Sequence, residues 1–307
     1  MSAGSIGPAW QAVVLSWNGR EDTLLCLASL RAVAPKISII CVDNGSVDGT
    51  AEAVREQFPE VTLIEAGGNL GYSGGNNLGI RRALDAGARW VVLVNNDATV
   101  DPGIIDGFEE VARARPDAGL LAGTVLTAED PPVVWFAGQR VNLRLGYSGR
   151  PRGYGRADGP EYARCIDTDR AVGALMAISR EALAAAGLLD EDLFAYVEDV
   201  DLAVRARRAG FAVVVAPGAR ARHRVSASTG GEASSTHTLY YGVRNTVVVF
   251  ERHAPLGRPG TLLRRAVILT TFGLHALTRT DRRAALSAVR TGFTDALRGR
   301  LGERGVH

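Results

Sequence analysis

Lysine is all but missing from this chain of 307 residues: Lys36 is the only one among 35 basic side chains, and the rest are arginine. A GC-rich coding sequence explains that bias, so no function is drawn from it. Cysteine is scarce as well. Cys26, Cys41 and Cys165 lie far apart with no CxxC or Cys/His spacing, which argues against a zinc module or a disulfide framework and fits a reducing cytoplasm. No uncharged apolar run approaches the roughly 18 residues of a membrane-spanning helix. Met1 to Pro8 carries neither a basic nor an apolar leader region. The expectation is a cytoplasmic chain, neither secreted nor transmembrane. A formal charge of +2 is too small to point to nucleic acid. It hides an asymmetry: Glu251 to His307 holds eleven arginines against four acids, leaving the rest of the chain net acidic. There is no Walker loop and no G-x-G-x-x-G fingerprint, which disfavours an ATPase or a dinucleotide enzyme.

What is present is enough apolar residue, 46%, to bury a large core. The first hundred residues alternate strand and helix patterns: strand Ala12 to Trp17, helix Glu21 to Ala32, strand Ile37 to Val42, helix Gly49 to Phe58, strand Val61 to Ile64, helix Gly75 to Ala86, strand Trp90 to Val94. Such alternation predicts a parallel sheet with helices on both faces and a ligand crevice beyond the carboxyl ends of its strands. Polar clusters sit there, at Ser16-Trp17-Asn18, Asp43-Asn44-Gly45-Ser46 and Asn95-Asn96-Asp97. Past a helix start at Asp101-Pro102 the regularity weakens. Val133 to Tyr162 reads as hairpins or a loop, Ala171 to Ser179 as a strand, Glu198 to Ala209 as a helix closed by Gly210, and Phe211 to Val215 as a strand. The tail after Ser234 is mostly helical.

Asp43 ends a strand, and its carboxylate is an acceptor for the imide N–H of a uracil or thymine ring; the same octet, Asp43 to Thr50, also suits a plain turn with a helix cap. Gly67 to Asn77, which includes Asn69, Gly71 and Asn76, lets backbone N–H groups approach a diphosphate at a helix start, or else forms a simple glycine-rich loop. Asp97 emerges at the crevice floor, where a carboxylate can bridge Mg²⁺ or Mn²⁺ to diphosphate oxygens; a turn cap is the competing reading. Glu198 and Asp199 open a helix. Acids there complement the helix dipole, but the apolar lead-in Phe194-Ala195-Tyr196-Val197 would hold a carboxylate inside a cleft. His223, taken alone, is more often a polar loop or core residue than a ligand. Arg140 to Arg156 reads as a solvated loop rather than a lid.

Taken in order, Val14-Leu15-Ser16-Trp17-Asn18, Asp43-Asn44-Gly45-Ser46, Asn69-Leu70-Gly71-Tyr72, Asn76-Asn77-Leu78-Gly79, Asn95-Asn96-Asp97, Gly173-Ala174-Leu175-Met176, Glu198-Asp199-Val200-Asp201-Leu202, His223 and Tyr241-Gly242-Val243-Arg244-Asn245 resemble family 2 glycosyltransferases of the GT-A fold. The likeness is strongest to the rhamnosyltransferase-like and galactofuranosyltransferase-like branch and spans Val13 to Phe250. It implies an α/β GT-A domain with a Rossmann-like nucleotide-binding half, a mixed central sheet and a C-terminal helical extension. The halves would be 8–100 for the nucleotide sugar and 101–233 for acceptor and catalysis, with 234–307 as the extension.

The resemblance implies an inverting, metal-dependent transfer from a dTDP- or UDP-linked sugar, rhamnose-like, to a hydroxyl acceptor in cell-wall, polysaccharide or secondary-metabolite glycosylation. Asp43 would contact the base and Asn95 the ribose region. Ser16, Asn18, Asn44, Gly45, Asn69, Gly71, Asn76 and Asn96 would complete the nucleotide site. Asp97 and His223 would hold Mg²⁺ or Mn²⁺, and Asp199 would be the base, with Glu198 the alternative. Asn-Asn-Asp replaces the Asp-x-Asp of many relatives, so the metal is expected to arrive with the nucleotide. The rivals are a non-catalytic sugar-nucleotide-binding homologue and, ranked lower, a sugar nucleotidyltransferase. In the tail, Leu262, Leu263, Val267, Ile268, Leu269, Phe272 and Leu274 among arginines suit either helix packing or peripheral contact with the inner face of a membrane, with packing preferred.

Overall fold

The computed structural model of the protein describes residues 9–35, 37–224 and 232–305, with side chains from 236 onward in the last stretch. Met1 to Pro8 and Lys36 lie outside the described residues. The nucleotide half follows the predicted alternation: β1 Trp10–Ser16, α1 Arg20–Val33, β2 Ser38–Asp43, α2 Thr50–Gln57, β3 Thr62–Glu65, α3 Gly71–Asp85 and β4 Trp90–Asn95. β1, β2 and β4 are apolar and buried on both faces, β3 is a more open edge strand, and the four pair in parallel in the order β4-β1-β2-β3. Helix α3 begins at Gly71, four residues earlier than its pattern predicts. Gly75 and Gly79 lie inside it because a Cβ at either would meet Leu15 or Val13 of β1 within 2.4 Å. The glycines are there for close helix-on-sheet packing.

The second half departs from simple alternation. β5 Ala98–Val100, α4 Ile104–Ala114, β6 Ala118–Thr127 and β7 Val134–Phe136 precede a small hairpin of β8 Val141–Asn142 and β9 Tyr147–Ser148. After β10 Ile166–Asp167 come β11 Leu175–Ser179, α5 Arg180–Ala186, α6 Glu198–Arg208 and β12 Ala212–His223. β11 runs antiparallel to both β4 and β6, so the central sheet is mixed, in the order β10-β12-β6-β11-β4-β1-β2-β3. The predicted end of the last strand at Val215 is superseded: β12 passes through Pro217-Gly218 with a register shift and stays paired to β6 as far as His223. Helix α4 starts at Ile104 behind a left-handed Gly103, not at Asp101-Pro102.

Three helices follow, α7 Glu232–His253, α8 Arg258–Leu277 and α9 Arg282–Leu297. They share a core of Leu239, Tyr240, Val243, Ile268, Ala285 and Ala288, while Val249 and Phe250 of α7 pack on Leu193, Val200 and Val204 around α6. No helix among the described residues is long and apolar enough to cross a membrane.

Candidate active site

The ladder between β5 and β12 decides where the first pair of groups meets. β5 leaves β4 through the two-residue turn Asn96-Asp97 and pairs antiparallel with β12, placing Ala98 opposite His223. Asp97 therefore reaches across to the imidazole: His223 Nε2 donates to Asp97 Oδ1 at 2.8 Å, and both side chains are buried. His223 Nδ1 is buried without a hydrogen-bond partner, and the ring stands edge-on to Trp135 at 5.1 Å.

Glu198 and Asp199 open α6 on the other wall. Asp199, 2% exposed at its side chain, accepts from Arg170 Nε at 2.7 Å through Oδ2 and from Val200 N at 2.8 Å through Oδ1. Arg170 is held in turn by Gln139 Oε1 at 3.1 Å. Glu198 has no such partner: its Oε2 is buried and unpaired. Burial, then the neighbouring charge of Asp199, pushes its carboxyl up to about 8. Asp201, the third acid of the helix, belongs to a structural cluster. Burial pushes it up, but His253 Nε2 at 2.7 Å and Arg205 at 2.7 Å outweigh that and hold it below its ordinary value.

Tyr72 ties the two walls together. Its hydroxyl donates to Gly173 O at 3.0 Å, and Gly173 has no room for a Cβ against that phenol. Burial raises the phenol well above its usual range, and the negative charges of Glu198, Asp199 and Asp97 raise it further. The charges of Asp97, Glu198 and Asp199 thus all bear on one buried phenol.

The backbone entering α6 is strained. Phe194, Tyr196 and Val197 all have positive φ, of 62°, 67° and 73°, which costs roughly 1–3 kcal/mol each for such residues. Asn245 of α7 holds this turn by donating to the carbonyls of Leu193, Ala195 and Tyr196, each at 2.8 Å. Arg244 adds bonds to Leu193 O and Gly302 O. From the other side Ser73 N donates to Phe194 O, and a Cβ on Gly71 would meet that oxygen at 2.5 Å.

On the nucleotide side Asp43 and Asn95 have uncommitted atoms. Asp43 Oδ2 accepts from Ser46 N, while its Oδ1 is buried without a partner. The Asn95 side chain is half-buried at the end of β4. The other expected residues make contacts within the protein. Asn44 bridges Asn69 Oδ1, Gly71 O and Leu70 N; Asn76 caps Tyr72 O within α3. Ser16 and Asn96 meet at Thr23 in a buried network. Asn18 joins Ser46 and Val47, and Gly45 packs its left-handed backbone against Gly68. These residues fix the shape of the crevice.

A sequence model described as glycosyltransferase-like family 2 matches residues 8–241. The chain belongs to glycosyltransferase family 2. An N-acetylglucosaminyl-diphospho-decaprenol L-rhamnosyltransferase of Mycobacterium tuberculosis is 32% identical to it over 260 residues, 79% of this chain and 84% of that protein. The low-salt glycan biosynthesis hexosyltransferase Agl10 of Haloferax volcanii is 28% identical over 199 residues, 64% of this chain and 61% of that protein. Among solved structures, the mannosyltransferase PcManGT of Pyrobaculum calidifontis, determined with GDP-Man and Mn²⁺, superposes with a TM-score of 0.58 at 18% identity, covering 96% of this chain and 76% of its own. Residues 1–349 of S. aureus TarS with UDP-GlcNAc give 0.55 at 13% identity, covering 95% and 93%. The fold of this family 2 glycosyltransferase is GT-A.

The motif residues of the glycosyltransferase that most needed a structure are Arg170 and Asn245. Arg170 follows an unremarkable Asp-Thr-Asp run, and nothing in its spacing marks it as the partner of Asp199. Asn245 sits in the Tyr241 to Asn245 motif, but only the fold reveals that its amide serves three carbonyls around the α6 entry.

Proposed function

We propose that this glycosyltransferase is an inverting, divalent-metal-dependent enzyme using a dTDP- or UDP-linked sugar, rhamnose-like, and a hydroxyl acceptor of the lipid-linked glycan class. The reading rests on one observation: Asp97 pairs with His223 at 2.8 Å in the buried interior, and the charges of Asp97, Glu198 and Asp199 all bear on the one buried Tyr72 phenol. The acceptor class follows the name of the mycobacterial relative, whose acceptor is a diphospho-decaprenol.

Asp97 and His223 fit a cation. Octahedral ligands at 2.0–2.1 Å stand about 3 Å apart when adjacent, and the 2.8 Å between Oδ1 and Nε2 suits that. Among the described residues no cluster of three or more His, Cys, Asp or Glu could hold a metal, so the remaining oxygens would come from the donor diphosphate. When bound, the ion supplies Lewis-acid neutralisation of the departing diphosphate. Asp43 Oδ1 offers its free lone pair to the imide N–H of a uracil or thymine ring, and Asn95 lies toward the ribose.

Asp199 is the base of the proposal. It is ion-paired with Arg170, and each of its oxygens retains a lone pair beyond the one hydrogen bond it accepts. Glu198, raised to about 8, is protonated at neutral pH and cannot take a proton. As the acceptor oxygen bonds to the anomeric carbon, its proton passes to Asp199. The carbon–oxygen bond to the diphosphate breaks, and the nucleoside diphosphate leaves with the electron pair, inverting the centre. General-base assistance is typically worth ~10² to 10⁴ in rate. A panel of UDP-, dTDP- and GDP-sugars, scored for nucleoside diphosphate release with and without Mn²⁺, tests the reading. Release of pyrophosphate, or turnover indifferent to Mn²⁺ and EDTA, would refute it.

A further inference from the structure

The C-terminal helices present a surface that the sugar chemistry does not use. Helix α8 has no acidic residue along its 20 positions. One edge packs inward through Arg264, Ile268 and Ala276. At about 100° per residue, the exposed positions Leu262, Leu263, Ala266, Thr270, Leu274 and Leu277 fall on a single opposite stripe. That stripe carries no charge over a helix roughly 30 Å long. Leu263 and Leu274 are 61% and 59% exposed, far more open than a packed helix leaves its leucines.

Cations frame it. Between Arg258 and Arg298 there are eight arginines and two aspartates. Arg264 is buried and Arg265 is paired to Glu251. The other six, Arg258, Arg279, Arg282, Arg283, Arg290 and Arg298, are exposed with no acidic partner among the described residues. Of the two aspartates, Asp295 is buried against the Tyr240 hydroxyl and Asp281 caps Ala284 N. Beside α8 the β8–β9 hairpin adds exposed Leu145 and Tyr147, and Gly146 is pressed against Arg264 and Ile268. The same hairpin segment reaches the Asp199 wall through Gln139, which holds Arg170, and through Val141 N, which donates to Asp169.

We infer that α8, with the arginines around it and the hairpin tip, is a docking surface for an anionic lipid bilayer, lying in the interface with the apolar stripe inserted and the arginines at the headgroups. An uncharged stripe bordered by unpaired cations is the pattern of an in-plane interfacial helix, and each arginine near an anionic surface adds attraction that salt screens. A second copy of this chain is the poorer occupant, because a symmetric pairing would bring the unpaired arginines of both copies together with few acids to meet them. The inference stands on this surface alone and is independent of the donor chemistry; its failure would leave the transferase reading untouched.

The test is co-sedimentation of the full-length protein with phosphatidylglycerol or phosphatidylcholine vesicles, alongside the double variant Leu263→Glu, Leu274→Glu and the double variant Arg282→Glu, Arg283→Glu. All four sites are exposed, and circular dichroism with retained nucleoside diphosphate binding checks that each variant is folded. The expected result is binding to phosphatidylglycerol at least about tenfold stronger than to phosphatidylcholine, weakened by 0.5 M salt and reduced about tenfold or more in both variants. No binding of the wild type to phosphatidylglycerol, or equal binding by the folded leucine variant, overturns the inference. A wild-type dimer in light scattering that the leucine variant dissociates would reassign the surface to self-association.

Discussion

Replacing Glu198 by glutamine should make the protein more stable, by an amount that grows as pH rises above about 4.5. The carboxyl sits near 8 when folded against an ordinary value of 4.5, because burial and Asp199 both oppose its charge. Between those two values the folded state binds a proton that the unfolded state has released, so stability falls as pH rises through the window. Below pH 4.5 wild type and variant are alike; above pH 8 the wild type carries the full penalty. A separation of about 3.5 units at 1.36 kcal/mol each sets a ceiling of about 5 kcal/mol. At ~2 °C per kcal/mol for a chain of this size, that is a gain of up to roughly 10 °C in Tm. Glutamine has the same shape, brings no charge and can give the crevice a donor. Differential scanning fluorimetry of both proteins from pH 5 to 9 reads the difference directly. A gain that grows from near zero at pH 5 to its plateau above pH 8 supports the reasoning. A pH-independent difference, or a less stable variant at pH 9, would show that Glu198 is not the proton-holding group. The same variant separates the two acids in catalysis: it should retain turnover at neutral pH, whereas Asp199→Asn should lose ~10²- to 10⁴-fold in kcat with donor binding nearly intact. A dead Glu198→Gln beside an active Asp199→Asn would reverse their roles.

Three further outcomes follow from the geometry. In calorimetric titration with UDP or dTDP, His223→Ala and Asp97→Asn should each cost about tenfold or more of the Mn²⁺-dependent affinity; wild-type affinity that ignores Mn²⁺ removes the proposed role of the pair. Asp43→Asn turns the buried acceptor partly into a donor facing an imide donor, and an unsatisfied buried group costs about 1–3 kcal/mol, so UDP and dTDP should bind roughly 10- to 100-fold more weakly; an unchanged Kd places the base elsewhere. Asn245→Ala removes the amide shared by three carbonyls of the α6 entry, of which Leu193 O keeps its bond from Arg244, and should lower stability by about 2 kcal/mol and kcat well beyond any change in KM, measured by urea unfolding and steady-state kinetics; wild-type kinetics would show that the strained turn holds itself.

Half of this architecture was legible in the residues, because its information is local. β1, β2, β3 and β4 are short apolar runs ending in polar clusters, and helices of ordinary spacing separate them. The second half depends on pairings that no local pattern carries. β11 reads as a strand, but its antiparallel place between β4 and β6 is set by the whole sheet. In β12, Pro217-Gly218 has the chemistry of a strand end, and only the partner β6 carries the strand through its bulge to His223. For the site, the carboxylates and the histidine stood out because few residue types perform their chemistry. The asparagines are harder to read for the opposite reason: an amide that meets a ribose and an amide that ties two loops look alike in sequence. Gly71 is similar, since its bare backbone makes room for Phe194 O, a demand that its place in a glycine-rich stretch does not reveal.

The grip of Asn245 on the α6 entry bears on how such proteins can be cut and recombined. The family match stops at residue 241, yet the amide that steadies the strained entry to α6, next to the proposed base Asp199, lies four positions later. A fragment trimmed to the matched span, or a chimera whose junction falls before Asn245, would part the α6 entry from its tether. Swaps of the distal helices between homologues should therefore be joined after α7, so that reactivity stays with the sheet domain while whatever α8 and α9 recognise is exchanged.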